Sequence, residues 1–120
     1  MSVIKSEHID AFISVGMRPH EAKVLAYLLE NRHGHSRDME RTMDMRQPEV
    51  CSALSALQKQ GWVKKKGEER SIRGRPVYNY ILSKKPDAIL SVLEENAQTE
   101  ITRYEKIKQR IKEVENVTKT

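Results

Sequence analysis

What the 120-residue chain has little of narrows its class first. It holds a single cysteine, Cys51, which excludes an internal disulfide framework. Aromatic residues make up 5% of it and apolar residues 38%, a balance that suits a helical intracellular domain better than a β-sandwich. No apolar run approaches the roughly 20 residues of a membrane span, and the first residues lack the pattern of a signal peptide, so a cytoplasmic protein without membrane contact is expected. No Ser-His-Asp set, phosphate loop or framed pair of carboxylates occurs, so no enzyme is expected and no cofactor. His33 and His35 form an HxH pair, but no third ligand stands at metal-binding spacing, and no metal site is expected there. The length leaves room for one domain with a modest core and one protruding element.

Charge is present, and it is unevenly placed. The formal net charge is +5. Between Lys59 and Lys85 nine basic residues face only Glu68 and Glu69, a local balance of +7, so the remainder sums to −2. A patch of one sign on a near-neutral body is the footprint of a polyanionic partner, the alternative being a solvated face kept charged for solubility.

Apolar spacing and punctuation predict the elements. Ile9, Phe12 and Ile13 mark a short amphipathic helix over 6–15 that stops at Gly16. Pro19 opens a second helix, with Ala22, Leu25, Leu28 and Leu29 inward and its end at Gly34. A third runs from Arg37 to Met43, capped by Ser36, with Met39 and Met43 as core filler. A tight turn at Asp44 to Arg46 leads to a fourth helix from Pro48 to Gly61. Val50, Ala53, Leu54 and Leu57 form its buried side, while Pro48, Ser52, Ser55, Ala56 and Lys59 face outward. That outward face is polar and small enough to approach another surface closely. Helix, short turn and helix with a close-approach face make a helix-turn-helix. Cys51 reads as a small buried filler of the fourth helix, with a redox-responsive thiol as the alternative.

Strand-like runs over Trp62–Lys66 and Val77–Leu82 flank a long loop from Gly67 to Pro76. Val77 and Ile81 are expected to face the core, with Tyr78 and Tyr80 opposite. A hairpin directly after a helix-turn-helix is a wing. Its tip carries Arg70, Arg73 and Arg75, and Gly74 lets the backbone approach a partner.

With EAKVLAYLLE, DMRQPEVCSALSALQKQGWV and RGRPVYNYILS in place, residues 17–83 resemble the winged helix-turn-helix transcriptional regulators, in particular the MarR-like and TrmB-like groups of archaea and bacteria. The resemblance implies that the helix opened by Gln47 and Pro48 enters the DNA major groove and that the wing lies along the backbone or in the minor groove. By position it implies Gln47, Glu49, Ser52 and Ser55 as readers and Arg73 and Arg75 as wing contacts. Glutamine can pair with adenine, serine with either kind of edge, and glutamate with cytosine N4, although Glu49 could equally serve the dipole of its own helix. Arg73, Arg75, Lys59 and Lys64 would neutralise phosphates and supply affinity.

The sequence departs from the family pattern at several positions. Arg46 stands where a Ser or Thr cap is favoured, so it is expected either to leave the helix start to water or to turn to a phosphate. Ser52 replaces a long basic residue, Glu40 a small residue packed between the two helices, and Asp44 the turn glycine.

From Pro86 to the end there is no glycine or proline, so one helix of about 30 residues is expected. Leu93, Ala97, Glu100, Tyr104, Ile107, Ile111, Val114 and Thr118 repeat at the 3.5-residue period of a coiled-coil seam, with Ile101 substituting for Glu100. So small a domain cannot cover the whole stripe. A second copy is the expected partner, the alternative being a helix packed back on the N-terminal helix of its own chain.

The expected architecture is thus mainly α with a small β-hairpin wing. Residues 1–85 form a winged helix-turn-helix DNA-binding domain, and 86–120 a long dimerisation helix. The expected function is sequence-specific, double-stranded DNA-binding transcriptional regulation by a homodimer. A winged-helix module that binds another protein is the alternative, disfavoured by three arginines around a glycine at the wing tip. No separate ligand-sensing domain is apparent, so any effector is expected at the dimer interface or between it and the winged domain.

Overall fold

A computed structural model describes residues 4–70 and 76–119, with the backbone alone described for 68–70 and 76–77. Among the described residues the elements are α1 (Ser6–Ser14), α2 (Pro19–Asn31), β1 (His33–His35), α3 (Ser36–Thr42), α4 (Gln47–Lys59), β2 (Val63–Arg70), β3 (Pro76–Leu82) and α5 (Pro86–Thr118). The chain is mainly helical with a small antiparallel sheet, as its periodicities imply.

Three helices end in the same way, and the endings set the angles between elements. After α1, α3 and α4 the chain passes through a left-handed residue at Gly16, Asp44 and Gly61, with φ of 107°, 52° and 81°. The next residue then returns its N–H to a carbonyl five positions back: Met17 to Phe12 at 3.2 Å, Met45 to Glu40 at 2.9 Å, Trp62 to Leu57 at 3.1 Å. These are Schellman closures, which satisfy carbonyls that the helix leaves unpaired. Asp44 takes the left-handed position that a glycine would otherwise hold, and so forms the turn between α3 and α4.

Helix α2 ends three residues earlier than the expected stop at Gly34. Arg32 adopts φ 74° at its C-cap, and His33–His35 then pair with Ile81–Asn79 as β1. Cross-strand hydrogen bonding outcompetes a last helical turn here, and Gly34 has a packing role instead. A Cβ on Gly34 would overlap the ring of Tyr27. Helix α3 begins one residue before its expected start, with His35 rather than Ser36 at the N-cap position.

The sheet order is β1-β3-β2, all antiparallel, so β3 is central. Both wing strands are longer at the tip end than expected, which shortens the loop to residues 71–75, outside the described residues. Between Lys65 and Glu68 the register slips by one residue, with Gly67 at φ 71°, a bulge that bends the outer part of β2. The expected facing of β3 is reversed. Tyr80 is buried in the core, Tyr78 and Leu82 pack against it, and Ile81 is half-buried outside the core; the Val77 side chain lies outside the described residues. By alternation one face of VYNYIL carries Tyr78, Tyr80 and Leu82 and the other Val77, Asn79 and Ile81, and the face without the polar Asn79 is the one turned inward. On β1, Gly34 lies opposite Tyr80.

The core gathers Ala22, Val24, Leu25 and Leu28 of α2, Met39 of α3, and Val50, Ala53, Leu54 and Leu57 of α4. Trp62, Val63, Tyr80 and the first turns of α5 complete it, while Ile9, Phe12 and Ile13 of α1 cover one side. Burial raises the pKa of the Tyr27 and Tyr80 phenols, helped by the charge of Asp38 at Tyr27 and of Cys51 at Tyr80. Glu40 is half-buried.

Helix α5 leaves this body after two turns. Ile89 and Leu93 are buried in the core, whereas every described residue from Ile101 onward is exposed. At 1.5 Å per residue its 33 residues span about 50 Å, and the molecule measures 77 × 29 × 26 Å. No described helix is long and apolar enough to cross a membrane.

Candidate nucleic-acid interface

Helix α4 is held by one face and presents the other. Val50, Ala53, Leu54 and Leu57 repeat at i, i+3, i+4, i+7 and are buried against the core, α2 included, which turns Gln47, Ser52, Ser55 and Lys59 to solvent. The expected readers thus lie exposed on one helix, except for Glu49. Its carboxylate is already engaged. Oε1 accepts the Arg46 backbone N–H at 2.8 Å, and Oε2 lies 3.1 Å from Nε2 of His20 on α2.

The Arg46 N–H bond lowers the Glu49 pKa most, and the positive charges of His20, Arg46 and Lys23 lower it further, against a smaller opposing desolvation. Glu49 therefore stands at the third helical position as the acidic half of a capping pair. It satisfies the N–H of Arg46, while the Arg46 side chain makes no cap hydrogen bond to the first turn. Arg46 itself is exposed.

Cys51 is exposed, which corrects its expected role as a buried filler. One residue past Val50, it is rotated by about 100° from the buried stripe, and the core has no place for it.

On the wing, Lys64, Lys65 and Lys66 are exposed on β2, and the Lys65 ammonium lies 4.2 Å from the centre of the Tyr78 ring. The backbone of Arg70 pairs with Pro76 at the outer end of the hairpin. Its side chain, together with Arg73 and Arg75, lies outside the described residues. Lys84 and Lys85, which the sequence groups with the wing, line an open cleft of about 330 Å³ with Arg32 and Pro86, at the junction of α2, β3 and α5. His33 is exposed, and His35 Nδ1 lies 3.4 Å from the Tyr78 carbonyl oxygen.

The seam residues of α5 divide. Leu93 is buried in its own chain's core, a correction to its expected place in a dimer seam, because the first turns of α5 pack back on the winged domain. Ala97 is half-buried. Ile101, Tyr104, Ile107, Ile111 and Val114 are exposed, from 39% at Ile107 to 61% at Val114, together with Val117. No other segment of the described chain covers them. The pair that sequence reasoning missed is His20 with Glu49, because nothing in the spacing of residues 20 and 49 brings the starts of α2 and α4 together.

A helix-turn-helix formed by α3 and α4, followed by a two-stranded wing, defines a winged-helix protein. No protein-family model matches the chain, nor does any curated protein. Solved structures do match. A possible transcriptional regulator from Methanosarcina mazei Go1 aligns over 92% of this chain and 88% of its own, with a TM-score of 0.57 and 15% identity. The MarR family transcription regulator SP03579 aligns over 82% of this chain and 64% of its own, with a TM-score of 0.55 and 12% identity. Reduced AbfR bound to DNA aligns over 92% of this chain and 78% of its own, with a TM-score of 0.53 and 22% identity. The chain therefore has the winged helix-turn-helix fold of MarR-family transcriptional regulators.

Proposed function

We propose that the protein is a transcriptional regulator that binds double-stranded DNA in a sequence-specific manner as a homodimer. The observation that carries this reading is the exposed face of α4, where Gln47, Ser52, Ser55 and Lys59 are presented beside a wing with lysines at 64, 65 and 66. AbfR, of the same fold, was solved bound to DNA. On this reading residues 1–85 bind DNA and 86–120 join two copies. Gln47 and Ser52 read base edges, while Lys59, Lys64, Arg46, Arg70, Arg73 and Arg75 neutralise phosphates. Glu49 serves the helix start.

The dimer follows from the bare stripe of α5. Exposed Ile101, Tyr104, Ile107, Ile111 and Val114 need a partner helix, and a second copy presents the same stripe at the same length. Two recognition helices at a fixed separation call for an inverted repeat with half-sites roughly 34 Å, or a multiple of it, apart.

Titration of duplex DNA at several salt concentrations tests the reading, with each phosphate contact contributing a slope of about 0.9 in log K against log salt. Changing Arg73 and Arg75 to Ala should weaken binding to all sequences and flatten that slope. A double variant that binds as tightly as the parent would remove the wing from the interface.

A further inference from the structure

We propose that His20 is a positioning residue for base recognition: through Glu49 it clasps the reading end of α4 to α2 and so fixes where Gln47 points. The proposal rests on the DNA-binding function above and adds to it a residue outside the helix-turn-helix. Its basis is one carboxylate shared between two tasks. Glu49 Oε1 closes the first turn of α4 on the Arg46 N–H, and Oε2 meets the His20 imidazole 3.1 Å away. Gln47 lies between Arg46 and Glu49 in the chain, at the first helical position, so it belongs to the turn that this contact holds.

The core does not do this work by itself. Val50 is the first residue of α4 that is buried, and the three residues ahead of it are exposed or half-buried. A bidentate base contact needs its side chain held closely in place, and loose positioning at the helix start weakens discrimination without weakening phosphate contacts. The clasp is half-exposed, with side-chain exposures of 46% at His20 and 35% at Glu49. Arg46 from the start of α4 and Lys23 from α2 are the other charges acting on the carboxylate. Neither changes its charge between about pH 5 and 8, where an imidazole ordinarily does.

Protonated His20 makes a charge-assisted bond to Glu49, and neutral His20 an ordinary one of about half the strength. The preference for the selected site over random duplex should accordingly be greatest at low pH and decline as the imidazole loses its proton. Non-specific affinity should not follow the same curve.

The experiment measures the affinity of the full chain for its selected site and for random duplex from pH 5.5 to 8.5, in the parent, His20→Gln and His20→Lys. His20→Gln should lower the ratio of the two affinities at acid pH by about three- to tenfold and flatten its pH profile, the size of a charge-assisted bond exchanged for a neutral one. His20→Lys keeps a positive charge throughout, so it should restore the ratio and hold it constant with pH. An unchanged ratio in His20→Gln would overturn the proposal, and so would an equal loss on both duplexes, which would make His20 a phosphate contact. The backbone amide of Arg46 gives a readout without DNA: its NMR shift should titrate with the His20 ring in the parent and not in His20→Gln. A parent that binds no duplex would refute the DNA-binding function, while a titrating Arg46 amide would still uphold the clasp.

Discussion

Two stretches of this chain are equally helical and are held in opposite ways. Helix α4 puts four side chains into a common core, with Leu57 and Val50 wholly buried, and its exposed face is polar and small. The far half of α5 buries nothing. Its residues are exposed from Ile101 on, although Ile101, Tyr104, Ile107, Ile111 and Val114 repeat as regularly as the buried stripe of α4. What holds the far half in this chain is local: Thr102 Oγ1 donates to the Gln98 carbonyl at 3.1 Å, Arg103 pairs with Glu100 at 2.9 Å, and the same guanidinium sits 4.7 Å from the centre of the Tyr104 ring. Such exposed pairs contribute only a few tenths of a kcal/mol each, and the apolar repeat, which packs on nothing in this chain, is left to serve an interface.

The largest expected effect breaks the contrast from the α5 side. Replacing Ile107 and Ile111 with Asp should give monomers by light scattering and lower DNA affinity about a hundredfold or more, since engagement of the second half-site would no longer be intramolecular. The winged core should unfold at its parental temperature when both proteins are compared at concentrations where the parent is monomeric. Undiminished affinity in a monomeric variant would refute the dimer mechanism.

The next effect compares one leucine with one isoleucine. Leu57→Ala should cost about 2–5 kcal/mol in denaturant unfolding, because a wholly buried side chain leaves a cavity. Ile111→Ala, measured in dilute monomer, should stay within about 0.5 kcal/mol. Similar costs for the two would mean that α5 packs on its own chain.

Within α4 the contrast sharpens between reading and holding. Gln47→Ala should lose about 1–3 kcal/mol on the selected site and little on random DNA, without change in unfolding temperature. An equal loss on both duplexes would make Gln47 a phosphate contact.

The smallest expected effect is on acid stability. The Glu49 pKa is lowered in the folded chain, chiefly by the Arg46 N–H, so its contribution is present above the usual Glu value of about 4.3 and is lost as the pH falls through the lower folded value. Glu49→Gln keeps an oxygen for the Arg46 N–H but has no proton to gain. Its stability should therefore fall less than the parent's over that acid range, measured by thermal unfolding at successive pH values.

How much could be read without coordinates differs by element. The stripe Val50, Ala53, Leu54 and Leu57 was legible because a helical repeat of apolar residues next to small polar ones admits one inward face. The uninterrupted run after Pro86 was legible as a single long helix for want of any breaker. The facing of β3 was misread, because apolar residues stand on both sides of VYNYIL and the polar Asn79 between Val77 and Ile81 was given no weight. The end of α2 was misplaced because the pairing of His33–His35 with β3 is a long-range event. Cys51 was misplaced by its residue type, since its angle on α4 overrides the usual burial of a cysteine.

Sequence alone thus determined the local quantities: the order of the described helices, their apolar faces, the basic segment and the turns after α1, α3 and α4. Each follows from side-chain periodicity and backbone sterics, which act over a few residues. Only the tertiary structure decided where α2 ended, that Leu93 belonged to the core rather than to a seam, and that Glu49 was shared between Arg46 and His20. Those outcomes depend on groups up to dozens of positions apart meeting in one space or at one carboxylate, and neither spacing nor composition encodes that meeting.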